Sequence, residues 1–369
     1  MRIIQLADYG GTYAGSFIPM LRALTRVARA RGFDVETIFT PVGRGREWVS
    51  ELQAEEIPVR FSPTTSRRGL RSWLESVVAE QKRPTVLHTH FTAFDVPAAQ
   101  VAATAPETAA FWHVHSRARP ELSVRARNVA KHLLFGKDVS AILCVAPDIA
   151  TAMRRRLAPR RRVTFLPNAI DVERFPAVNP ARRTAARKEL RLPSDGRVLL
   201  HFGWDWQRKG GDLLLRAMSA LVLSDPALIV ASVGAGAEAQ ALAARLGLER
   251  HFRALEPTDR VQALYAAADV FVSSSRAEGM PFSVAEALIC GVPVVASDIP
   301  GHAQIGTGLD ACRLTRLEPG ALATGITEIL SRSGADAHKQ ACVARAQIRA
   351  TMDLRPWSER VLRIYEQAM

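Results

Sequence analysis

The sequence predicts an α/β protein made of two Rossmann-like domains. Short β-branched runs alternate with helical segments along almost the whole chain, as parallel sheets covered by helices require. The alternation falls into two series of similar length, separated by a proline-rich stretch. The chain has 369 residues and 48% hydrophobic content, long enough for two domains of ordinary size.

The first series of strands reads RIIQLA, VETIF, TVLHTH, AAFWHVH, AILCVA and RVTFLP. Between them, FIPMLRALTRVARARG and DIATAMRRRL place apolar residues at helical spacing. The boundary falls in PNAIDVERFPAVNPARR, residues 167–183, which holds three prolines and no clear period. We therefore divide the chain into residues 1–170 and 171–352. The second series reads RVLLHFG, ALIVASVG, DVFVSSS and PVVASD. The last segment, DLRPWSERVLRIYEQAM (353–369), has the pattern of one amphipathic helix. Pro356 suits its first turn, and Trp357, Val361, Leu362, Ile364 and Tyr365 supply an apolar stripe.

Composition excludes several classes. No apolar run reaches the roughly 18–20 residues that span a bilayer. MRIIQLADYGGTYAG has only a short apolar run leading into Asp8, unlike a signal peptide, so the expected location is cytoplasmic. Cys144, Cys290, Cys312 and Cys342 are far apart and form no CxxC pair, so they read as buried thiols. The net charge is +13 and uneven: residues 1–180 hold 26 Lys+Arg against 16 Asp+Glu, residues 181–369 hold 23 against 20. Arg154–Arg156 and Arg160–Arg162 stand out in the first half. Nucleic acid, an anionic membrane face, an anionic substrate or a plain solvated surface would all suit this excess.

In open α/β sheets ligands bind outside the carboxyl ends of the strands, and the informative motifs lie at such ends. Asp8-Tyr9-Gly10-Gly11-Thr12 follows the first strand. Glycines there let the backbone approach a phosphate, and a plain tight turn would use the same residues. The stretch is not a full GxGxxG fingerprint, which counts against a dinucleotide enzyme. In HFGWDWQRKGGDLLLRAM a strand ends at Phe202-Gly203, a helix starts near Gly211, and Arg208 and Lys209 occupy the loop between. Two cations there would favour a diphosphate, and exposed loop cations are the alternative. The third stretch is EGMPFSVAE. Strand DVFVSSS delivers Glu278 to the rim. Gly279 permits an unusual backbone angle, and Pro281 suits the first turn of a helix through SVAEALICG. Backbone N–H groups around Met280–Ser283, other than Pro281, then face a ligand, and Glu286 lies about one turn further in. Two carboxylates at this spacing can accept hydrogen bonds from two hydroxyl-bearing parts of one ligand.

EGMPFSVAEALICGVPVVASD resembles the Glu-x7-Glu signature of retaining glycosyltransferases with the GT-B fold, most closely glycosyltransferase family 4. The likeness covers nearly the whole chain in order. ADYGGTYAG resembles the N-terminal glycine loop that holds Gly10 and Gly11. TVLHTHF and AAFWHVHS resemble acceptor-domain strands ending in histidine. VTFLPNAIDVERF resembles a Pro-Asn-Gly-x-Asp linker with Ala169 in place of Gly, and FGWDWQRKGGDLLLRA resembles the donor-phosphate loop after Gly203.

The resemblance implies a GT-B fold with two domains facing a central cleft. It also implies that the terminal helix, residues 353–369, crosses back to an N-terminal acceptor domain. It implies a retaining, hexosyltransferase-type enzyme of cell-surface glycan, glycolipid or natural-product biosynthesis. The donor would be a nucleotide-diphosphate sugar, UDP- or GDP-linked, and the acceptor a hydroxyl. Glu278 would contact the donor sugar, with the amides of Gly279, Met280, Pro281 and Phe282 lining its site. Glu286 would hold the ribose, Lys209 the diphosphate, and Arg253 to Leu255 the base. His115 would stand near the transferred sugar, with His113 as its rival. The family usually has an Arg straight after the loop glycine. Here that position is Trp204, and Arg208 is the substitute cation. No Asp-x-Asp motif is present, so no cofactor and no essential metal are expected.

The alternative reading is another GT-B enzyme such as a sugar-nucleotide epimerase. A nucleic-acid partner is not expected, because charge alone suggests one and no binding motif supports it. The basic, apolar-faced stretch SVRARNVAKHLLFGK (123–137) suggests peripheral contact with anionic lipid at the inner face of the cell membrane.

Overall fold

The computed structural model describes residues 1–117, 122–156 and 163–369. The cluster Arg160–Arg162 singled out above lies outside the described residues. The chain forms two compact units: Met1–Ala169 with Leu354–Met369, and Ile170–Asp353.

The strands of the first unit are β1 (Arg2–Ala7), β2 (Asp34–Phe39), β3 (Val59–Phe61), β4 (Thr85–His90), β5 (Thr108–Val114), β6 (Ala141–Cys144) and β7 (Val163–Phe165). The helices between them are α1 (Phe17–Ala30), α2 (Glu47–Ala54), α3 (Arg67–Ala79), α4 (Asp95–Thr104), α5 (Leu122–Phe135) and α6 (Pro147–Arg156). The strands pair in the order β3-β2-β1-β4-β5-β6-β7, every pair parallel. β1 and β4 are buried along their whole length, so they read as continuous runs without alternation.

The second unit holds α7 (Pro180–Glu189), β8 (Val198–Phe202), the single turn α8 (Trp206–Lys209), α9 (Gly211–Ser224), β9 (Ile229–Val233), α10 (Ala237–Arg245) and β10 (Phe252–Leu255). It continues with α11 (Val261–Ala267), β11 (Val270–Ser273), α12 (Phe282–Cys290), β12 (Val294–Ser297), α13 (Pro300–Gly306), β13 (Cys312–Thr315), α14 (Pro319–Leu330) and α15 (Gly334–Met352). Its parallel sheet runs β10-β9-β8-β11-β12-β13. The strand order reverses between β1 and β4 in one sheet and between β8 and β11 in the other. Connections leave to opposite sides there, which opens a crevice at the strand ends.

α16 (Leu354–Glu366) follows α15 after Asp353 alone and packs on the first unit. Its Trp357, Val361, Leu362 and Tyr365 are buried in the core formed by Ile3, Phe17, Ile18, Leu21 and Phe111. Arg31 at the end of α1 reaches Glu366 at 2.6 Å and Glu359 at 3.4 Å. The chain thus crosses between units twice, after Ala169 and after Asp353. The second unit ties its two ends together, with Ile170 N–H donating to Met352 O at 2.8 Å.

Four details differ from the sequence reading. Cys342 is exposed on α15, while Cys144, Cys290 and Cys312 are buried. Arg208 and Lys209 belong to a helical turn, not a loop. Pro281 is the N-cap of α12, with ψ at 119°, rather than a first-turn residue; extended backbone there lets the chain enter the helix from the rim. β3 and β13 are strands that no apolar run marks, because each carries an arginine and is only partly buried.

Leu362→Ala is expected to remove about 2–5 kcal/mol from the first unit, the usual cost of emptying a buried leucine site. Urea unfolding would read it. A loss well under 1 kcal/mol would mean that α16 does not share this core.

Candidate functional site

The turn after β8 is built on close approach. Gly210 has φ +66°, and a Cβ there would lie 2.0 Å from the carbonyl oxygen of Ser274, so only glycine fits. Ser274, just beyond β11, donates its hydroxyl to Gly210 O at 2.8 Å and Lys209 O at 3.0 Å. Gly211 carries the Trp206 ring where a Cβ would sit, and a Cβ on Gly203 would meet Ser232 Oγ at 2.7 Å. Arg276 clamps the same region, pairing with both oxygens of Asp212 at 2.8 and 2.7 Å and donating to Gln207 O.

These contacts bring the ends of β8 and β11 together, and Lys209 meets Glu278. The ammonium lies 2.8 Å from Glu278 Oε1, with both side chains nearly buried. Arg208 approaches the same oxygen at 3.1 Å while bonding Asp205 at 2.7 Å, and Ser275 Oγ donates to it at 2.9 Å. Burial pushes the Glu278 carboxyl up, but Lys209 and Arg208 outweigh it and hold the group below its ordinary range. The Lys209 ammonium also stands 5.5 Å from the centroid of the Trp204 ring. The candidate phosphate cations and the candidate sugar-contact acid therefore form one cluster. With Asp205 on Arg208, its two cations are balanced by two carboxylates.

Glu286, two turns along the chain from Glu278, is buried in α12. Tyr265 donates its hydroxyl to Glu286 Oε2 at 2.7 Å. Burial, with the nearby Glu286 charge, holds that phenol well above its ordinary value, so it stays a donor. Gly279, Met280 and Pro281 are buried, and Phe282 opens the helix. Gly301 packs on this loop: a Cβ there would meet Gly279 O at 2.7 Å and Glu278 O at 2.8 Å. Arg253 turns back on its own strand, bonding Phe252 O at 3.0 Å, and Leu255 packs inward beside β9.

In the first unit, Gly10 and Gly11 follow β1. Gly11 O accepts from Trp48 Nε1 at 2.9 Å, and a Cβ on Gly11 would meet the Tyr9 hydroxyl at 2.6 Å. Helix α1 begins only at Phe17, so these glycines are not at its N-terminus. His115 stands just beyond the carboxyl end of β5, its Nε2 3.1 Å from His90 Nδ1, while His90 Nε2 lies 2.9 Å from Gln5 Oε1. The amide oxygen can only accept, so His90 Nε2 carries a proton, His90 Nδ1 accepts, and His115 Nε2 donates. His113 lies inside β5, fully buried, its ring 4.2 Å from that of His115, with both nitrogens lacking a hydrogen-bond partner among the described residues. Burial keeps these imidazoles neutral at pH 7: His88 falls to about 3, His115 to about 4, and His90 and His113 well below the usual value. His88, His90 and His113 are the one group with metal-ligand spacing among the described residues, each offering a nitrogen within 4.8 Å of the others.

The structure brings Arg208, Lys209 and Glu278 into direct contact and holds Glu286 separately, buried on α12 against Tyr265. It places His115 and the glycine pair in the other unit. Sequence reading missed Ser274, Ser275, Tyr265, Gly210 and Gly301, and the His90–Gln5 pair behind His115. The run Ser273-Ser274-Ser275 at a strand end was a legible signal. Gly301 and Tyr265 carried none, because their roles arise only from packing.

Two parallel-sheet units with reversed strand order at each site, and a terminal helix returned to the first unit, define the GT-B fold. Solved structures agree on the fold. The chain superposes on Anabaena HepE in complex with UDP and glucose with TM-score 0.84, at 20% identity and 100% coverage of both chains. A glycosyltransferase from Rickettsia africae gives 0.82 at 16% identity, covering 100% of this chain and 98% of that one. Residues 20–174 match the family model described as Glycosyltransferase Family 4, and residues 196–332 match that of Glycosyl transferases group 1. The chain thus has the GT-B fold of a glycosyltransferase and resembles glycosyltransferase family 4. A D-inositol 3-phosphate glycosyltransferase of Geodermatophilus obscurus is 32% identical over 230 residues, 58% of this chain and 50% of that protein. A GDP-mannose-dependent alpha-(1-6)-phosphatidylinositol monomannoside mannosyltransferase of Mycolicibacterium smegmatis is 28% identical over 245 residues, 63% of each. The match spans about half the length of the first of these relatives.

Lys209→Met should expose what the buried pair contributes. Glu278 titrates below its ordinary 4.5 when folded, so its pairing stabilises fully above that value and is lost as pH falls through the folded pKa. The variant is expected to melt lower than wild type at about pH 7, and the gap to narrow below about pH 4.5. A constant gap down to about pH 3 would assign the loss to packing instead.

Proposed function

We propose that the protein is a retaining glycosyltransferase that moves a sugar from a nucleotide-diphosphate donor to an acceptor hydroxyl. The observation that carries this reading is the Arg208–Lys209–Glu278 cluster at the β8/β11 switch point, with Glu286 buried on α12. Breaking the glycosidic bond builds negative charge on the leaving diphosphate. Lys209, Arg208 and the amides around Met280–Ser283 at the start of α12 are suited to receive it. In this scheme the ammonium exchanges Glu278 for a phosphate oxygen as donor binds. Glu278, held by two cations and Ser275, is suited to position the sugar rather than to attack it. Glu286 takes a ribose hydroxyl, and His115 takes a sugar hydroxyl. No essential metal is required, since Lys209 and Arg208 supply the charge that a divalent ion would.

The acceptor is proposed to be an anionic polyol. The excess of cations in residues 1–180 supports this, as do relatives named for D-inositol 3-phosphate and phosphatidylinositol mannoside. A membrane-borne acceptor is favoured by one feature of α5: Leu122, Leu133 and Leu134 are exposed. Lys131 of that helix is not available to lipid, because it pairs with Asp95 at 2.7 Å and lies on the Trp112 ring. The remaining contact would come from the leucines and Arg127. Among the described residues no helix is long and apolar enough to cross a membrane.

UDP-, GDP-, ADP- and dTDP-sugars are expected to differ in the thermal stabilisation they confer, with one nucleotide clearly preferred. Glu286→Gln, which keeps an acceptor for Tyr265, is expected to lose most of that shift. Donor consumption that proceeds without any acceptor would favour the epimerase alternative. Flotation with liposomes tests the membrane contact: recovery should rise with anionic lipid, and equal recovery with neutral lipid removes it.

A further inference from the structure

Trp204 is a large, half-exposed residue of the donor loop to which the proposed mechanism gives no task. It follows Gly203 at the carboxyl end of β8 and is 49% exposed. Its indole lies flat against Phe202, with ring centroids 4.8 Å apart and planes 26° apart. Phe202 packs in turn on Tyr265, at 5.8 Å, whose hydroxyl holds Glu286. On its other flank the indole faces the Lys209 ammonium. Gly234, at the end of β9, comes close beneath it: a Cβ on Gly234 would stand 3.2 Å from Trp204 Cβ and 3.7 Å from Pro257, which follows β10.

The exposed half of the indole therefore lies beside the candidate diphosphate cation. Its Cα and Cβ lie against Gly234 at the end of β9. A rigid stack of two rings keeps it there, so little ordering entropy remains to be lost when a flat ligand covers it. An indole in this position is poorly used in water. A planar, electron-poor ring laid on it gains area burial and stacking together.

We infer that Trp204 is the stacking platform for the nucleobase of a nucleoside diphosphate, and that stacking replaces the second phosphate cation usual at this position. This rests on the donor-site reading above. Binding would then draw less on phosphate charge and more on the base. Nucleotide affinity should fall only modestly with salt, and the base should matter as much as the diphosphate.

The test is titration of the full chain with UDP, GDP and inorganic pyrophosphate, read by calorimetry and by tryptophan fluorescence. The wild type is expected to bind one nucleoside diphosphate with quenching, and pyrophosphate more weakly. Trp204→Ala should weaken the nucleotide roughly 10- to 100-fold, the usual range for loss of one base–aromatic stack, and leave pyrophosphate within about two-fold. Trp204→Phe should restore most of the affinity while abolishing the quenching. Because Trp204 is half exposed, neither variant empties a core, and circular dichroism would confirm folding. Trp204→Ala that binds the nucleotide as wild type does, while Glu286→Gln weakens it, overturns this inference alone. Equal loss of pyrophosphate and nucleotide in Trp204→Ala overturns it too, since the role would then be loop structure. A wild type that binds no nucleoside diphosphate overturns the donor-site reading and this inference with it.

Discussion

The chemistry of the second unit depends on one close approach, that of Gly210 to the carbonyl of Ser274. No side chain fits between them, and the backbone must take a positive φ to pass. That contact joins the turn after β8 to the end of β11, and it sets Lys209 against Glu278 across 69 residues of chain. A charge pair shielded from water is expensive to assemble and more expensive to break. Removing one partner typically costs about 3–5 kcal/mol because the other is left buried and uncompensated. The pair is therefore a poor choice for stability alone and suits the proposed exchange of a carboxylate for a phosphate.

The first unit solves a different problem with the same architecture. Its switch point lies between β1 and β4, where His90 emerges opposite Ala7 and beside His113. Four imidazoles share this region, and burial keeps them neutral. A neutral chain from Gln5 through His90 to His115 gives each nitrogen along it one assigned role. Gln5 is an interior residue of β1, so the rim histidine is oriented by the sheet itself. α16 completes the arrangement from the far end of the sequence. Tyr365 reaches His88, and Trp357 lies nearly parallel to His113.

Much of this was legible in the sequence. Buried parallel strands are continuous apolar runs, so β1, β4, β8 and β9 announced themselves. Glu278, Glu286 and Lys209 were visible because glycines and a proline punctuate the chain around them. The edge strands β3 and β13 were not visible, because Arg60 and Arg313 interrupt their short apolar runs. Arg208 and Lys209 read as loop because a four-residue helical turn has no apolar face to declare it. Lys131 read as part of a basic surface, yet its ammonium is folded in on Asp95. A linear sequence cannot distinguish a cation facing water from one facing a buried carboxylate.

By itself the amino-acid order determined the class of fold, the number of units, an amphipathic terminal helix and the strand ends at which chemistry gathers. These follow from local pattern: hydrophobic period, turn residues and the crossover rule for parallel strands. Tertiary structure alone decided which candidate groups touch. It paired Lys209 with Glu278, hid Glu286 behind Tyr265, gave His115 its partner and left the Trp204 indole exposed on Phe202. Lys209–Glu278 and His115–His90 join different strand ends, and Tyr265–Glu286 joins two helices. Their distances depend on strand order and side-chain packing, which no local pattern encodes.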